Sequence, residues 1–187
     1  MTTEVFCRRN YSFRNDPLGK TAGQMVGAAR SARQNLVEGS ARAGTSKETE
    51  LKLYDVARGS LEELAGDYEA FLVGRDVAPW GASDPEAMRF KSLRLDGYGG
   101  ELGENARHEY AEYLLEMRRR FAPWMEADDP ILAANAILAA IDRASSLLAR
   151  QIAAAGEEFR QQGGFTERMT AARLEQRDAA TDAPKCP

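Results

Sequence analysis

The chain has 187 residues, 43% of them hydrophobic and 29% charged, with a formal net charge of -4, which fits one soluble globular domain with a real core. No N-terminal segment resembles a signal peptide and no apolar run approaches about 18 residues, so we expect a cytoplasmic protein without a membrane span. The two cysteines, Cys7 and Cys186, lie near opposite ends, which excludes a disulfide framework and a complete metal site.

The charge is unevenly distributed along the chain. Lys and Arg outnumber Asp and Glu by 10 to 6 in residues 1–60, whereas the acids lead by 13 to 5 in residues 61–117. Residues 118–187 balance at 10 to 10. The excess of positive charge therefore lies in the first third of the chain, and the middle is acidic.

Residues 1–16 mix aromatic and basic side chains without a clear period, which predicts an N-terminal arm docked on the domain that follows. Either Asp16 with Pro17, or Thr21, can begin the first helix, because Pro tolerates the first turn and Asp or Thr can cap it. The apolar residues that follow have the spacing of one helical face: Ala22, Met25, Val26, Ala29, Ala32, Leu36 and Val37.

Two features of this first helix depart from a plain core face. Arg33 falls within the apolar sector, where a buried charge needs a partner. Gly23, Gly27 and Ser31 form a row of small residues that predicts a close approach, either by another helix of the same chain or by a second subunit. The helix is predicted to stop at Gly39.

A polar turn leads to Thr45, whose spacing to Glu48 matches a capping box for the second helix. Glu50 lies on the apolar side of this helix. Because the two helices return antiparallel about the turn, Glu50 falls near the height of Arg33. We therefore predict a half-buried structural ion pair between Arg33 and Glu50, with Tyr54 as an optional third member.

Three further helices follow in the sequence. Residues 83–86 predict the start of a short helix that runs to about Leu95 and places Met88 inward. A glycine-rich connection over residues 96–103 precedes a long helix from about Glu104 that ends at Pro123 and Trp124. Asp129 and Pro130 begin the longest helix, which stops at Gly163, and a short helix over residues 167–177 precedes a disordered tail.

Four long amphipathic helices joined by turns predict an all-α fold, namely an antiparallel up-down-up-down four-helix bundle over residues 17–163. A short helix is inserted between the second and third long helices. Residues 164–187 form a separate C-terminal segment, made of a short helix and the tail.

This topology predicts a basic pole, where the first turn and the end of the third long helix meet. The N-terminus of the second helix offers free N–H groups and the hydroxyls of Thr45 and Ser46 there, which is a favourable place for an anion. A solvated, charged end that only complements the helix dipoles is the alternative interpretation. The cations of the predicted nucleic-acid or partner site are Arg30, Arg42, Lys47, Lys52, Arg118, Arg119 and Arg120, and Arg33 lies near them.

No catalytic constellation is visible in the sequence. His108 is the single histidine and points away from the apolar face of its helix. Adjacent carboxylates such as Glu62 with Glu63, or Asp128 with Asp129, diverge around a helix or sit at a cap. We therefore predict a protein that is not an enzyme and has no cofactor.

Several segments of the first helical hairpin resemble the four-helix-bundle family that includes proteins encoded in intervening sequences of bacterial ribosomal RNA and the accessory variability proteins of diversity-generating retroelements. The matching segments are residues 24–25, 29–31, 34–40, 45–48 and 57–64. Residues 151–169 further resemble a subgroup with an extended C-terminal suffix. That suffix often continues into a zinc knuckle, of which only Cys186 and Pro187 are present here.

The resemblance implies a non-enzymatic homo-oligomer, typically a pentameric barrel, that binds nucleic acid and, in the retroelement branch, a reverse transcriptase. It also implies structural roles for Asn35 and Glu38, which would hold the turn, and for Gly39. The nucleic-acid binders of that family are strongly basic, whereas this chain has an isoelectric point near 5.2. Phosphate binding would therefore be confined to the basic pole.

The alternative hypothesis is a scaffold or adaptor that binds only proteins. The acidic residues 61–117 would then meet a basic partner. An enzyme is a third hypothesis, which would require titratable groups to converge in a closed pocket.

Overall fold

The computed structural model describes residues 2–99 and 105–163, together with residues 169, 170, 172–174 and 177. All regular secondary structure in these residues is helical, which confirms the all-α prediction. The up-down-up-down bundle arrangement stays a prediction. The helices are α1 (Thr2–Asn10), α2 (Lys20–Arg42), α3 (Lys47–Val73), α4 (Pro85–Ser92), α5 (Ala106–Met125) and α6 (Pro130–Gln162).

The chain divides into two compact units. Unit 1 comprises residues 1–29 and 61–144, and unit 2 comprises residues 30–60 and 145–187. The domain boundaries predicted near residues 16 and 163 do not coincide with the boundaries of these units. Each unit has its own set of internal contacts.

In unit 1, the N-terminal residues predicted as an arm form the helix α1. Phe6 and Cys7 are buried, and the Phe6 ring meets the rings of Tyr68 and Phe71 edge-on, with centroids 5.0 Å and 4.8 Å away. The Cys7 thiol contacts the Met25 sulfur at 3.8 Å. The arm is thus docked, but nine of its residues form a helix. The sequence did not reveal this helix, because nine residues are too few to show a clear helical period.

A second cluster in unit 1 centres on α4 and α6. Phe90 is packed with Ala136 and Ala139. The half-buried residues around it are Trp80, Leu93, Phe121, Trp124, Met125 and Ala140. Beside this cluster, the buried Asn135 accepts the Trp80 backbone N–H at 2.8 Å and donates to the Ile131 carbonyl at 3.0 Å.

The start of α4 is as predicted, because the Asp84 carboxylate accepts the Glu86 backbone N–H at 2.8 Å and Pro85 occupies the first turn. The prediction that Met88 points inward was wrong. Met88 is 59% exposed, whereas Phe90 is 2% exposed. The helix also ends at Ser92, before Leu95.

The helix α5 was predicted to end at Pro123 and Trp124, and it continues one residue further, to Met125. Arg9 donates to the Glu126 carbonyl at 2.6 Å, so a cation lies at the C-terminal end of the helix dipole. None of the residues Ala106–Met125 is buried, and Tyr110 and Leu114 are each 47% exposed. The apolar face of α5 is therefore only partly covered.

The longest helix, α6, is apolar enough over a sufficient length to cross a membrane, with a mean hydropathy of 1.5 in the relevant window. A helix of this hydropathy was not expected from the sequence, in which no apolar run was predicted to approach about 18 residues. Half of that window is buried inside the protein, and a buried core helix meets the same criterion of length and composition. Its start is as predicted, since the Asp129 carboxylate accepts the Ile131 N–H at 2.9 Å.

In unit 2, α2 and α3 meet through small and polar side chains as well as apolar ones. Ala32, Tyr54 and Ala57 are buried, and the hydroxyls of Ser31 and Ser60 lie 2.9 Å apart. Leu148 and Ala155 of α6 are buried in the same unit.

The row of small residues on α2 is packed at one position only. A Cβ added at Gly23 or Gly27 would meet nothing within 4 Å, whereas Ser31 contacts Ser60. Packing against the described residues therefore does not account for the two glycines. The subunit interface stays a prediction.

Gly39 does not stop α2, which continues to Arg42. The reason for glycine at this position is a close approach. A Cβ at Gly39 would lie 2.6 Å from Cε1 and 2.7 Å from Cδ1 of the buried Tyr54 ring. Gly39 is thus a packing residue within the helix.

We expect Gly39→Ala to destabilise the protein by about 1–2 kcal/mol, because the overlap with Tyr54 outweighs the helix propensity gained from alanine. Gly27→Ala is the matched control, and we expect it to stabilise by about 0.5–1 kcal/mol, since its Cβ would enter open space. Urea unfolding measures both changes. Equal effects of the two substitutions would contradict the packing role of Gly39.

Some predictions fall on residues outside the described ranges. They concern the glycines at 100 and 103, the start of the third long helix at Glu104, the disordered tail, and the truncated zinc knuckle at Cys186. The described residues of the predicted C-terminal helix, 169, 170, 172–174 and 177, are helical.

Candidate nucleic-acid and partner interface

The predicted turn between α2 and α3 lies in unit 2, and its hydroxyls are engaged locally. Thr45 Oγ1 donates to the Arg42 carbonyl at 3.3 Å, and Ser46 Oγ accepts the Thr49 N–H at 3.3 Å. Ser46 therefore caps α3, in place of the predicted capping box between Thr45 and Glu48. One of the backbone N–H groups expected to face an anion is already satisfied by this cap.

Lys47, at the first position of α3, is held in a buried ion triad. Its Nζ lies 3.0 Å from Glu50 Oε2 and 2.8 Å from Glu158 Oε2. The side chain of Lys47 is 11% exposed and that of Glu50 is 6% exposed. The hydrogen bond to Glu158, followed by that to Glu50, raises the pKa of Lys47 above its usual range. Lys47 is thus a structural cation, and a phosphate group would have to displace two carboxylates to reach it.

This triad replaces the predicted pair between Arg33 and Glu50. Arg33 is exposed, whereas its neighbour Ala32 is buried. Among the described residues Arg33 has no ion-pair partner. The prediction that Arg33 is half-buried and needs a partner was therefore wrong, and the buried Glu50 pairs with Lys47 of its own helix, one turn earlier.

The other structural residues carried over from the resemblance also act within α2. Asn35 Nδ2 donates to the Ser31 carbonyl at 2.9 Å, which is the carbonyl one turn earlier. Glu38 accepts from Gln34 Nε2 at 2.9 Å. The structure therefore places Asn35 and Glu38 along the helix, and neither of these bonds reaches the turn.

Three arginines of α2 remain available in unit 2. Arg30, Arg33 and Arg42 are exposed, and none of them forms an ion pair within the described part of the chain. A shallow groove of about 240 Å³ runs along the same helix. It is lined by Arg30, Arg33, Gln34, Val37 and Glu38.

Lys52 differs from these arginines. Its Nζ lies 2.6 Å from Glu48 Oε1, one turn earlier on the exposed side of α3. The pKa of Glu48 is lowered by this hydrogen bond. An exposed pair of this kind contributes little to stability, but it gives Lys52 a carboxylate partner that the three arginines lack.

The arginines at the end of α5 lie in unit 1, and two of the three are paired. Arg118 forms two hydrogen bonds to the Glu126 carboxylate, at 2.9 Å and 2.8 Å, which raise the pKa of Arg118 and lower that of Glu126. Arg120 bonds Asp96 at 2.7 Å and Glu116 at 3.0 Å, and the first contact lowers the pKa of Asp96. Arg119 is exposed and has no ion pair to a described residue.

Neither a cluster of metal ligands nor a reactive thiol is found among the described residues. No group of three or more His, Cys, Asp or Glu side chains in the described ranges is placed to hold a metal ion. Burial raises the pKa of the Cys7 thiol to about 11, so Cys7 is not a thiolate at neutral pH.

The chain was compared with protein-family models, with curated proteins and with solved structures, and none of the three comparisons finds a match. The resemblance to the four-helix-bundle family therefore stays a prediction based on the residues of the hairpin.

The spacing of acidic residues along the sequence separates the paired cations from the unpaired ones only in part. Lys52 and Arg120 have a glutamate one turn earlier, at Glu48 and Glu116, and both pairs form. Arg30 and Arg33 have no acidic residue three or four positions away in either direction. The rule fails for Arg42, which has Glu38 four positions earlier but no ion pair among the described residues, and for Arg118, which lacks such a neighbour but is paired with Glu126.

Proposed function

We propose that the protein is a non-catalytic, homo-oligomeric accessory protein that binds nucleic acid through the arginines of α2. The observation that supports this function is the exposure of Arg30, Arg33 and Arg42 without carboxylate partners among the described residues. An uncompensated guanidinium is the side chain best suited to phosphate, because it offers a planar set of donors and carries a permanent charge. The proposed site excludes Lys47, Arg118 and Arg120, because each of them already has a carboxylate partner.

The partner enzyme and the subunit number belong to the same proposal. By its resemblance, the protein is expected to assist a nucleic-acid enzyme such as a reverse transcriptase and to form a pentamer. A reverse-transcriptase gene or a ribosomal RNA locus beside its own gene would support the corresponding branch. A monomeric mass in solution would overturn the oligomeric part.

The phosphate site predicts a specific salt dependence. We expect the double variant Arg30→Glu, Arg33→Glu to bind a single-stranded oligonucleotide at least about tenfold more weakly at low salt. The plot of log K against log salt concentration should also be shallower by about 1.4, because each phosphate contact on a single strand contributes about 0.7 to the slope. Fluorescence anisotropy of a labelled oligonucleotide measures both quantities.

The matched control is Lys52→Glu with Arg160→Glu, which changes the net charge equally in the same unit but removes cations that already have carboxylate partners. We expect this control to bind nearly as tightly as the unsubstituted chain. Equal losses in the two variants would indicate a non-specific charge effect and would contradict the α2 site. An unsubstituted chain that does not bind at low salt would overturn the nucleic-acid function.

A protein-only scaffold is the second candidate, and the α5 surface favours it. Tyr110, Leu114 and Leu115 are exposed on a helix of which no residue is buried. Exposed apolar residues grouped on one helix are typical of protein-binding surfaces. A stable complex with a purified protein partner, without any oligonucleotide binding at low salt, would favour this function.

A further inference from the structure

Part of α3 in unit 1 carries a negative face that is the counterpart of the arginines on α2. Glu62, Glu63 and Glu69 are exposed, and none of them has an ion-pair partner within the described residues. The chain therefore leaves carboxylates uncompensated on one helix and guanidinium groups uncompensated on another. Each set is available to a second molecule.

The shape of this negative face allows a close approach by another helix. At about 100° per residue, Glu62, Gly66, Glu69 and Val73 lie along one side of α3, with Glu63 and Ala70 beside them. A Cβ at Gly66 would meet nothing within 4 Å, and Val73 is 63% exposed. Small residues thus lie at the middle of the face, and the carboxylates flank them.

The α2 face has the complementary arrangement. Arg30, Arg33 and Val37 lie on one side of α2, and Val37 is 62% exposed. A parallel alignment that places Arg30 opposite Glu63 also places Val37 opposite Ala70. It brings Arg33 opposite the open space at Gly66, within reach of Glu62 and Glu69. One alignment therefore satisfies the charges and the apolar side chains together.

We infer that α3, over Glu62–Val73, is the docking surface for residues 30–38 of α2 from a second copy of this chain. The contact joins two different surfaces, so each molecule that docks leaves one surface of each kind free for a further copy. This inference rests on the oligomeric part of the proposed function and specifies its subunit contact. It also implies that nucleic acid and a neighbouring copy compete for Arg30 and Arg33.

Charge exchange between the two faces tests the contact. We expect the basic-face variant, Arg30→Glu with Arg33→Glu, and the acidic-face variant, Glu63→Lys with Glu69→Lys, each to self-associate at least tenfold more weakly in sedimentation velocity. An equimolar mixture of the two should associate again, in assemblies in which the two variants alternate, since each reversed face then meets its complement. Far-UV circular dichroism of each variant checks that both remain folded.

A second mixture separates this contact from general attraction between oppositely charged proteins. The control variant Glu109→Lys with Glu112→Lys makes the same charge change on exposed positions of α5. It should self-associate as the unsubstituted chain does and should not restore assembly of the basic-face variant. The inference would be overturned if this control restored assembly of the basic-face variant. It would also be overturned if neither face variant changed the mass of the protein assembly.

Adding an oligonucleotide distinguishes failure of the contact from failure of the proposed function. If the contact and the phosphate site share Arg30 and Arg33, the oligonucleotide should lower the mass of the protein assembly. If assembly depends on both faces but the protein binds no oligonucleotide, the contact is supported and only the nucleic-acid function is contradicted. If neither face variant changes assembly but the protein binds the oligonucleotide, the contact is contradicted and the nucleic-acid function remains.

Discussion

Phe90→Ala is expected to destabilise the protein by about 4 kcal/mol, because it removes a buried aromatic side chain and leaves a cavity. Phe90 is packed with Ala136 and Ala139, whose small side chains cannot fill the space. Its ring also meets Phe121 and Trp124 at centroid distances of 5.8 Å and 6.0 Å. The substitution therefore removes aromatic contacts as well as buried area.

Tryptophan fluorescence during urea unfolding is a direct measurement of this effect. The chain has two tryptophans, and both Trp80 and Trp124 lie against the Phe90 cluster. The emission therefore reports the packing of this cluster, and its unfolding midpoint should move to lower urea concentration in the variant.

Met88→Ala is the matched control, since it removes an apolar side chain of similar size from the same short helix. Met88 is largely exposed, so its removal should change the free energy of unfolding by less than about 0.5 kcal/mol. Similar losses in the two variants would mean that α4 is rotated relative to the structure and that Met88, as first predicted, packs inward.

Lys47→Ala is the second prediction with a large effect, and we expect a loss of about 3 kcal/mol. The substitution leaves the Glu50 carboxylate buried without its cation, which is costly even though Glu158 is partly exposed. Lys52→Ala is the control, because it breaks a single exposed pair with Glu48. Its effect should be much smaller. Equal effects would contradict the buried triad.

The contribution of Lys47 to the free energy of unfolding depends on pH because the pKa of Lys47 is raised in the folded protein. A folded-state pKa above the ordinary lysine value stabilises the protein fully below that ordinary value, and the stabilisation is lost as the pH rises through the folded pKa. The difference between the unsubstituted chain and Lys47→Ala should thus be constant from about pH 7 to about pH 9. It should shrink in alkaline solution above the ordinary lysine pKa of about 10.4. A difference that grows with pH in that range would contradict the assignment.

The large elements of the fold could be predicted from local patterns. α3 and α6 follow the apolar periods read along the sequence, and α4 and α6 begin at the predicted Asp–Pro pairs. Such signals act within one turn of the backbone, so neighbouring residues are enough to reveal them. The ends of helices were less predictable, because Gly39 and Pro123 both lie inside helices.

The candidate site was predicted less well, because a list of cations does not show which of them are already neutralised. Arg118 meets Glu126 across a helix end, and Arg120 meets Asp96 from the loop after α4. These partners lie outside the i to i+4 range in which ion pairs can be recognised from sequence. The proposed site therefore consists of the arginines of α2 and no longer includes the paired cations of the predicted pole.

The sequence by itself determined the all-α class, the approximate helices and the uneven distribution of charge, because these depend on residue types and on spacing within a few turns. The tertiary structure decided which side chains are buried and which charges are paired. Lys47 meets Glu158, a residue of a different helix, and this contact leaves Arg33 at the surface without Glu50. Burial and pairing depend on the segments that fold against each other, and that proximity is absent from any local pattern.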